Sequence, residues 1–273
     1  MQVIAHPLKT IICTYEVAPQ KAIELLAKIG EASGTQFSGI VIDNGNHDSP
    51  EEIGSWQVHK GSNTMMDFSA YAEGAALLAD RLESMDAVLI LNDTAFTRHN
   101  AKFHLTRLVR YRELAARTAS PCIVGKTDDY TNVCYSNPWS GLNAYVSSFA
   151  FLLNTGGLRK LGDVYFSMPE VMGSDAIEMS SPDWAPGLDR RFREFLRVHL
   201  VHVDSPTAWY QAKKYAGKSS ILQKKARCVY LEHKLSGEIG RNGVVVAMYP
   251  RLRDKFRFAL ADKVKKMSSA LAT

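Results

Sequence analysis

The chain of 273 residues predicts an α/β fold, a mostly parallel sheet flanked by helices, on three observations. Short apolar runs of strand length, Val88–Leu91 the clearest, alternate through the first half with segments of helical spacing. Several of these runs end abruptly in Asp, Asn and Thr, and in an open α/β sheet ligands bind just beyond the carboxyl ends of the strands. No apolar run approaches the ~20 residues needed to span a bilayer.

The first strand is expected over Thr10–Val17, a β-rich run. Pro19 then opens a helix with Ile23, Leu26 and Ile29 on one face, closing near Gly30–Gly34. Phe37–Ile42 reads as the second strand and breaks at Asp43-Asn44-Gly45-Asn46, a strong turn signal. Strand, helix, strand is the start of a βαβ unit. Trp56–His59 is a short third strand, followed by the loop 60–64. A helix starts near Asp67, whose carboxylate suits its amino end, and buries Phe68, Tyr71, Ala75, Leu78 and Leu82. The stretch Asp86–Phe96 carries a strand that runs into Asn92, Asp93 and Thr94. Phe103–Arg117 is a basic helix with Leu105, Leu108 and Leu114 as its apolar side. Pro121–Val124 is the next strand, Gly125–Gly141 has the polarity and length of an active-site loop, and Ala144–Leu153 is an apolar run broken at Asn154-Thr155-Gly156-Gly157.

Ser167–Gly187 has three prolines and little periodicity, so a soft boundary divides 1–166 from a C-terminal region, 167–273, that completes the same unit. That region holds a basic helix, Arg190–Val201, then a polar Ser/Lys-rich stretch and the apolar Val229–Glu232. Ser236, Gly237, Gly240 and Gly243 punctuate the path to Val244–Met248. A closing helix from Pro250 places Leu252, Phe256, Leu260, Val264 and Met267 on one face among seven Lys/Arg.

The net charge of +5 conceals an asymmetry. From Pro186 onward there are 19 Lys+Arg against 7 Asp+Glu, while the remainder is acidic. An anionic partner met by the tail is expected, and the closing helix has the pattern of one lying on an anionic membrane surface, with packing on the body as the alternative. Nucleic acid is disfavoured because no recognition motif is present and aromatic residues are not interleaved with the basic runs. The four cysteines form no CxxC pair and read as buried thiols of a reducing compartment. No secretory leader is evident, so a cytoplasmic protein, peripheral on the inner membrane at most, is expected. The absence of GxxxxGK[ST], GxGxxG and GxSxG argues against P-loop, dinucleotide and hydrolase-elbow chemistry. His199 and His202 have metal-ligand spacing but no third partner in sequence, and surface histidines of a basic helix are the plainer reading.

Three strand ends thus aim polar groups at one edge: Asp43-Asn44, Asn92-Asp93-Thr94 and Lys126-Thr127-Asp128-Asp129. Each alone could be turn chemistry, and the three together point to a shared pocket. At these positions the chain resembles a known family. Val41–Asp48 is similar to the "VDNGSxD" turn after the second strand of GT-A glycosyltransferases. Asn63 through Tyr71 is similar to the "N…DFG-A/P-W/Y" segment of the rhamnan-synthesis branch of bacterial polysaccharide glycosyltransferases (family 2-like). Leu91–Thr94 resembles that branch's "LNDS", and Ala144–Leu158 its sheet segment after the donor loop. The resemblance spans residues 8–165.

The resemblance implies a GT-A, Rossmann-like fold and a sugar transferred from a nucleotide-sugar donor. The acceptor would be a cell-surface glycan or lipid-linked molecule of the lipopolysaccharide, capsule or O-antigen type. It implies a donor site of Thr14, Asp43, Asn63, Asp67, Asn92, Asp93 and Thr94. Asn92-Asp93-Thr94 takes the place of the DxD motif, whose carboxylates hold a divalent metal against the diphosphate. Only Asp93 is acidic here, so Mg²⁺ or Mn²⁺ on Asp93 stands beside neutralisation by Arg98, Lys102 or Arg107 with no metal. Inverting transfer needs a base. Asp128 and Asp129 are the candidates, with Glu232 and His233 in reserve. The impaired DxD leaves a second expectation: a GT-A-like module that has lost catalysis and serves as a scaffold in a polysaccharide assembly complex.

Overall fold

A computed structural model describes residues 6–83, 86–130, 136–209 and 211–270. Its strands are β1 (Leu8–Thr14), β2 (Phe37–Asp43), β3 (Glu52–Ile53), β4 (Trp56–Lys60), β5 (Ala87–Asn92), β6 (Cys122–Asp129), β7 (Ala144–Asn154) and β8 (Val244–Ala247). They form one eight-stranded sheet in the order β3-β4-β2-β1-β5-β7-β6-β8. The α/β expectation holds, with a sheet that is mixed. β4, β2, β1 and β5 run parallel, while β7 runs antiparallel between β5 and β6. The eight strands include β8, so the C-terminal region contributes to the same sheet as residues 1–166.

The helices are α1 (Pro19–Ser33), α2 (Asp67–Leu78), α3 (Thr94–Thr97), α4 (Ala101–Leu108), α5 (Arg112–Arg117), α6 (Thr155–Met172), α7 (Arg190–Leu200), α8 (Ala212–Tyr215), α9 (Ser219–Asn242) and α10 (Leu252–Ala270). β5 is buried at every position, as a strand covered on both faces must be. Alternate residues of β1 feed two cores. Ile11 and Cys13 join α2, α6, α7 and α9, and Leu8 and Ile12 join α1, α4 and α5. The first of these cores includes Ile11, Trp184 and Ile239, and so runs continuously across the expected boundary at 166/167, which itself falls inside α6.

Three expectations need correction. The single helix 103–117 is two helices joined by a 3₁₀ turn, Val109–Tyr111. That turn winds at three residues per turn and shifts the helical phase, so Ala115 is buried and Leu114 is 49% exposed. The glycines at 237 and 240 do not break the chain, because Ser219–Asn242 is one 24-residue helix. They serve close approach: a Cβ on Gly237 would stand 2.3 Å from Asn137 Oδ1, and one on Gly240 2.5 Å from Leu142 Cδ1. The polar loop expected from Gly125 begins later, since β6 continues through Asp129. Its far end is tied to α9 by Asn137, which donates to His233 O at 2.8 Å. Residues 131–135 of that loop, with Cys134, lie outside the described residues; Cys13, Cys122 and Cys228 are free and buried.

α10 packs on the body through polar groups. Asp262 accepts from His99 Nδ1 at 2.7 Å, and its other oxygen from His104 Nε2 at 2.8 Å and the Asn100 amide at 2.9 Å. Burial alone would raise the Asp262 carboxyl, but the hydrogen bonds from His104, His99 and Asn100 outweigh it and hold it below the usual carboxylate range. A depressed folded-state pKa means that the stabilisation is present above the unfolded value of ~3.9 and is lost as pH falls below it. Asp262→Asn is expected to cost about 2–4 kcal/mol near neutral pH, because two imidazoles and an amide lose their anionic acceptor. The deficit against wild type should shrink below pH ~4. Thermal unfolding of the two proteins across pH 3–8 checks both statements.

Candidate functional site at the carboxyl edge of the sheet

The chain crosses from one side of β1 to the other between β2 and β5, so the strand order reverses between β1 and β5. Crevices beyond such a switch point are where open α/β sheets bind ligands. Asp93 is the first residue past β5 and is buried. Its Oδ2 accepts from three consecutive amides, those of Tyr15, Glu16 and Val17, at 2.8, 2.6 and 3.0 Å. A carboxylate in such a nest of N–H groups is a clamp on the loop after β1. Tyr15 at the start of that loop is 58% exposed.

The neighbours of Asp93 are also committed. Asn92 Oδ1 accepts from the Thr94 amide and hydroxyl, and its Nδ2 donates to Asp67 Oδ2. Residues 92–94 therefore do not present the two outward oxygens that a DxD-type cation site needs, and the fit to Mg²⁺ or Mn²⁺ held there on Asp93 is poor. Asp43 is likewise occupied: Oδ1 accepts from the Gly45 amide, His47 Nδ1 and the Thr14 hydroxyl, and Oδ2 from the His47 amide. Turn chemistry accounts for this carboxylate, and Thr14 is bound into it. His47 closes that turn; its role was missed in the sequence, where only the Asp-Asn-Gly-Asn signal stands out.

Asn63 and Asp67 bracket the connection from β4 to α2. Asn63 and Met66 both take φ 49° without being glycine, a costly conformation that surrounding contacts must hold. Those contacts come from across the fold. Lys224 donates to Asn63 O at 3.2 Å, Cys228 to Met65 O at 3.0 Å and Asn44 Nδ2 to Met66 O at 3.0 Å. Gly61 has no room for a side chain, since its Cβ would meet Asn44 Oδ1. Burial raises the Asp67 carboxyl above its ordinary range, against the opposing pull of Lys225 and of the bond from Asn92.

α9 supplies what the strand ends lack. Lys225, Cys228, Glu232 and Ser236 recur at helical spacing. Cys228 donates to Met65 O, Glu232 and Ser236 accept from the Ser148 and Val146 amides, and Lys225 stands 5.5 Å from the Trp209 ring. β7 is irregular here, with Gly125 opposite Phe151 but Thr127 opposite Val146. The extra residues bring Ser148 out of the ladder. Its amide donates to Glu232 Oε1 at 2.6 Å, and its carbonyl accepts from the Tyr71 hydroxyl at 2.8 Å. Bulges of this kind re-aim groups beside active sites. Burial raises the Glu232 carboxyl, while Lys225 and the Ser148 bond pull it down. Lys225 thus acts on both Asp67 and Glu232. Glu232 as a whole residue is half-buried.

The expected bases are placed differently. Asp128 is paired with Lys126 at 2.5 Å and Asp129 with Lys255 of α10 at 2.8 Å. Both border a cavity of about 160 Å³ that also touches Tyr249 and Phe258. His233 is fully buried, stacked 3.8 Å from Tyr145 and bonded to the Tyr130 hydroxyl. Burial, with His199 and Lys225 nearby, pushes its pKa well below the ordinary value, so it is a core residue. Of the cations expected to neutralise a diphosphate, Arg98 pairs at 3.8 Å with Glu16, in the loop that Asp93 clamps. Lys102 and Arg107 line a concavity of about 430 Å³ on α4, on the other face of the sheet. That hollow has no carboxylate or histidine among its lining residues. His199 bonds Thr207 O at 2.7 Å and forms no pair with His202. The one His/Asp group among the described residues with metal-ligand spacing is His99, His104 and Asp262. Its direct hydrogen bonds, with Tyr249 on the second nitrogen of His104 at 2.6 Å, account for it as a polar latch on α10.

No protein-family model matches the chain, and a search of the curated proteins finds no match.

Proposed function

We propose that this protein transfers a sugar from a nucleotide-sugar donor to a glycan or lipid-linked acceptor of the bacterial cell surface, with inversion. The observation that carries the proposal is a part-buried glutamate, Glu232, whose carboxyl is raised by burial and bonded to the displaced Ser148 amide, with Lys225 of the same helix acting electrostatically on both it and Asp67. The order of the GT-A-like motifs along residues 8–165 supports the same chemistry. In this account the nucleotide lies along the Tyr15–Val17 loop and the Asn63–Asp67 segment. The acceptor hydroxyl gives its proton to Glu232 as its oxygen attacks the anomeric carbon and the bond to the diphosphate breaks. Lys225 and Lys224 face the charge of the departing diphosphate, and Asp93 acts as a positioning residue through the loop it clamps. Membrane association would be peripheral, since no helix of the described residues is long and apolar enough to cross a membrane.

Thermal unfolding with a panel of nucleoside diphosphates tests donor binding. A ligand at a hundred times its Kd adds about 2.7 kcal/mol to stability, so one base should raise Tm clearly above the others. Because residues 92–94 offer a poor cation site, the shift and any turnover should persist in EDTA. A flat panel would remove the nucleotide site. The amides that occupy Oδ2 of Asp93 and the bonds that occupy both oxygens of Asp43 favour a second reading, a GT-A-like scaffold without catalysis. It predicts a shift with no turnover of any donor.

A further inference from the structure

α10 meets the body with the wrong face for a simple core helix. Asp254 and Asp262 are 6% and 8% exposed, and Phe258 between them is partly buried. Leu252, Phe256 and Leu260 are 84%, 70% and 52% exposed, with Val264 and Met267 also more than half exposed. At 3.6 residues per turn, 254, 258 and 262 centre on one side of the helix, and 252, 256, 260 and 267 centre on the opposite side. Polar groups fix the inner side: Arg107 reaches Asp254 at 3.2 Å, and His99 and His104 hold Asp262.

This arrangement leaves the outer surface with a particular chemistry. The helix has only two carboxylates, and both point inward. Exposed Arg253, Arg257 and Lys263 fall among or beside the apolar side chains of the outward stripe. A surface of apolar groups edged by cations, with no anion, fits an anionic lipid interface, where the apolar side chains enter the acyl boundary and the cations meet headgroup phosphates. A second copy of the same helix is disfavoured, because a two-fold contact would bring these cations together.

We propose that the outward face of α10 docks the protein on an anionic phospholipid bilayer. The polar latch presents the stripe rather than burying it. Lys255 ties the first turn of α10 to Asp129 at the carboxyl end of β6, so docking sets the strand edge beside the lipid surface. The inference is independent of the reaction at that edge, because vesicle binding is read without turnover.

The test is co-sedimentation of the full chain with vesicles of phosphatidylcholine alone and with 30% phosphatidylglycerol, at low and high salt. Binding is expected to the anionic vesicles and to weaken with salt. Phe256→Asp with Leu260→Asp should weaken it at least about 100-fold, and Arg253→Glu with Arg257→Glu by at least roughly 30-fold. All four side chains are exposed, so unchanged circular dichroism and Tm are expected to accompany these losses. Absence of binding to either vesicle would overturn the proposal. So would wild-type binding by both double variants, or a dimer in sedimentation velocity that Phe256→Asp/Leu260→Asp dissolves without any vesicle binding.

Discussion

Glu232→Gln is expected to lower turnover by about 10²–10⁴-fold, the usual contribution of a positioned general base, without lowering Tm. The two halves of that expectation have one cause. Burial holds the Glu232 carboxyl above its ordinary range, so the folded state binds its proton more tightly than the unfolded chain does. Stability from this group is therefore full below the unfolded pKa of ~4.3 and declines as pH rises through the folded value. At neutral pH the ionised carboxylate is a cost to the fold, and the neutral amide removes it. The amide nitrogen or oxygen can still meet Ser148, but it cannot take a proton. The same sign governs activity: the acid limb of kcat/KM in wild type, which reports the free protein, should lie above the ordinary glutamate range, displaced toward neutrality. Steady-state kinetics against pH, with calorimetry of both proteins, reads the two halves together. A variant that is both unstable and inactive would make Glu232 a structural brace for the bulge in β7.

Asp93→Ala should behave in the opposite way, losing stability first and activity as a consequence. Three amides in one loop depend on Oδ2 of this buried carboxylate. Hydrogen bonds to charged groups contribute roughly 1.5–3 kcal/mol each and are not additive, so a loss of about 3–5 kcal/mol is expected. For a chain of this size that is on the order of 10 °C in Tm. Asp93→Asn, which keeps an acceptor oxygen without the charge, should recover part of it. If Asp93→Ala kept the wild-type Tm and lost only metal-dependent turnover, the clamp would give way to a direct ligand role.

The contrast between these residues shows how far the sequence could be read. Apolar runs ending in polar side chains located β2, β5 and the edge they share, because strands buried on both faces carry that signature directly. Asp93 was legible as the focus of the edge. Its role was not, because three amides of the β1 loop lie about 77 positions away in sequence. Asp43 shows the same limit in reverse: its bland assignment to turn chemistry describes its bonds best, and His47 at its fourth neighbour completes them. α9 was hidden by its composition. Val229–Glu232 reads as an apolar run and Gly237 and Gly240 as breaks, although those glycines are spaces for Asn137 and Leu142. Nothing local in the sequence sets Glu232 above Asp128 and Asp129, because its bond to the Ser148 amide spans two distant elements, α9 and the irregular β7. For α10 the stripe was plain in sequence, while its direction was not, since that depends on His99, His104 and Arg107 from another part of the chain.

The measurement closest to the central claim is nucleoside diphosphate release from a panel of nucleotide sugars, by wild type and by Glu232→Gln at equal folded concentration. The account predicts release from one donor class by wild type, in EDTA as in Mg²⁺, and its near-complete loss in the variant. Equal release by the two proteins, or none from any donor by wild type, would contradict it.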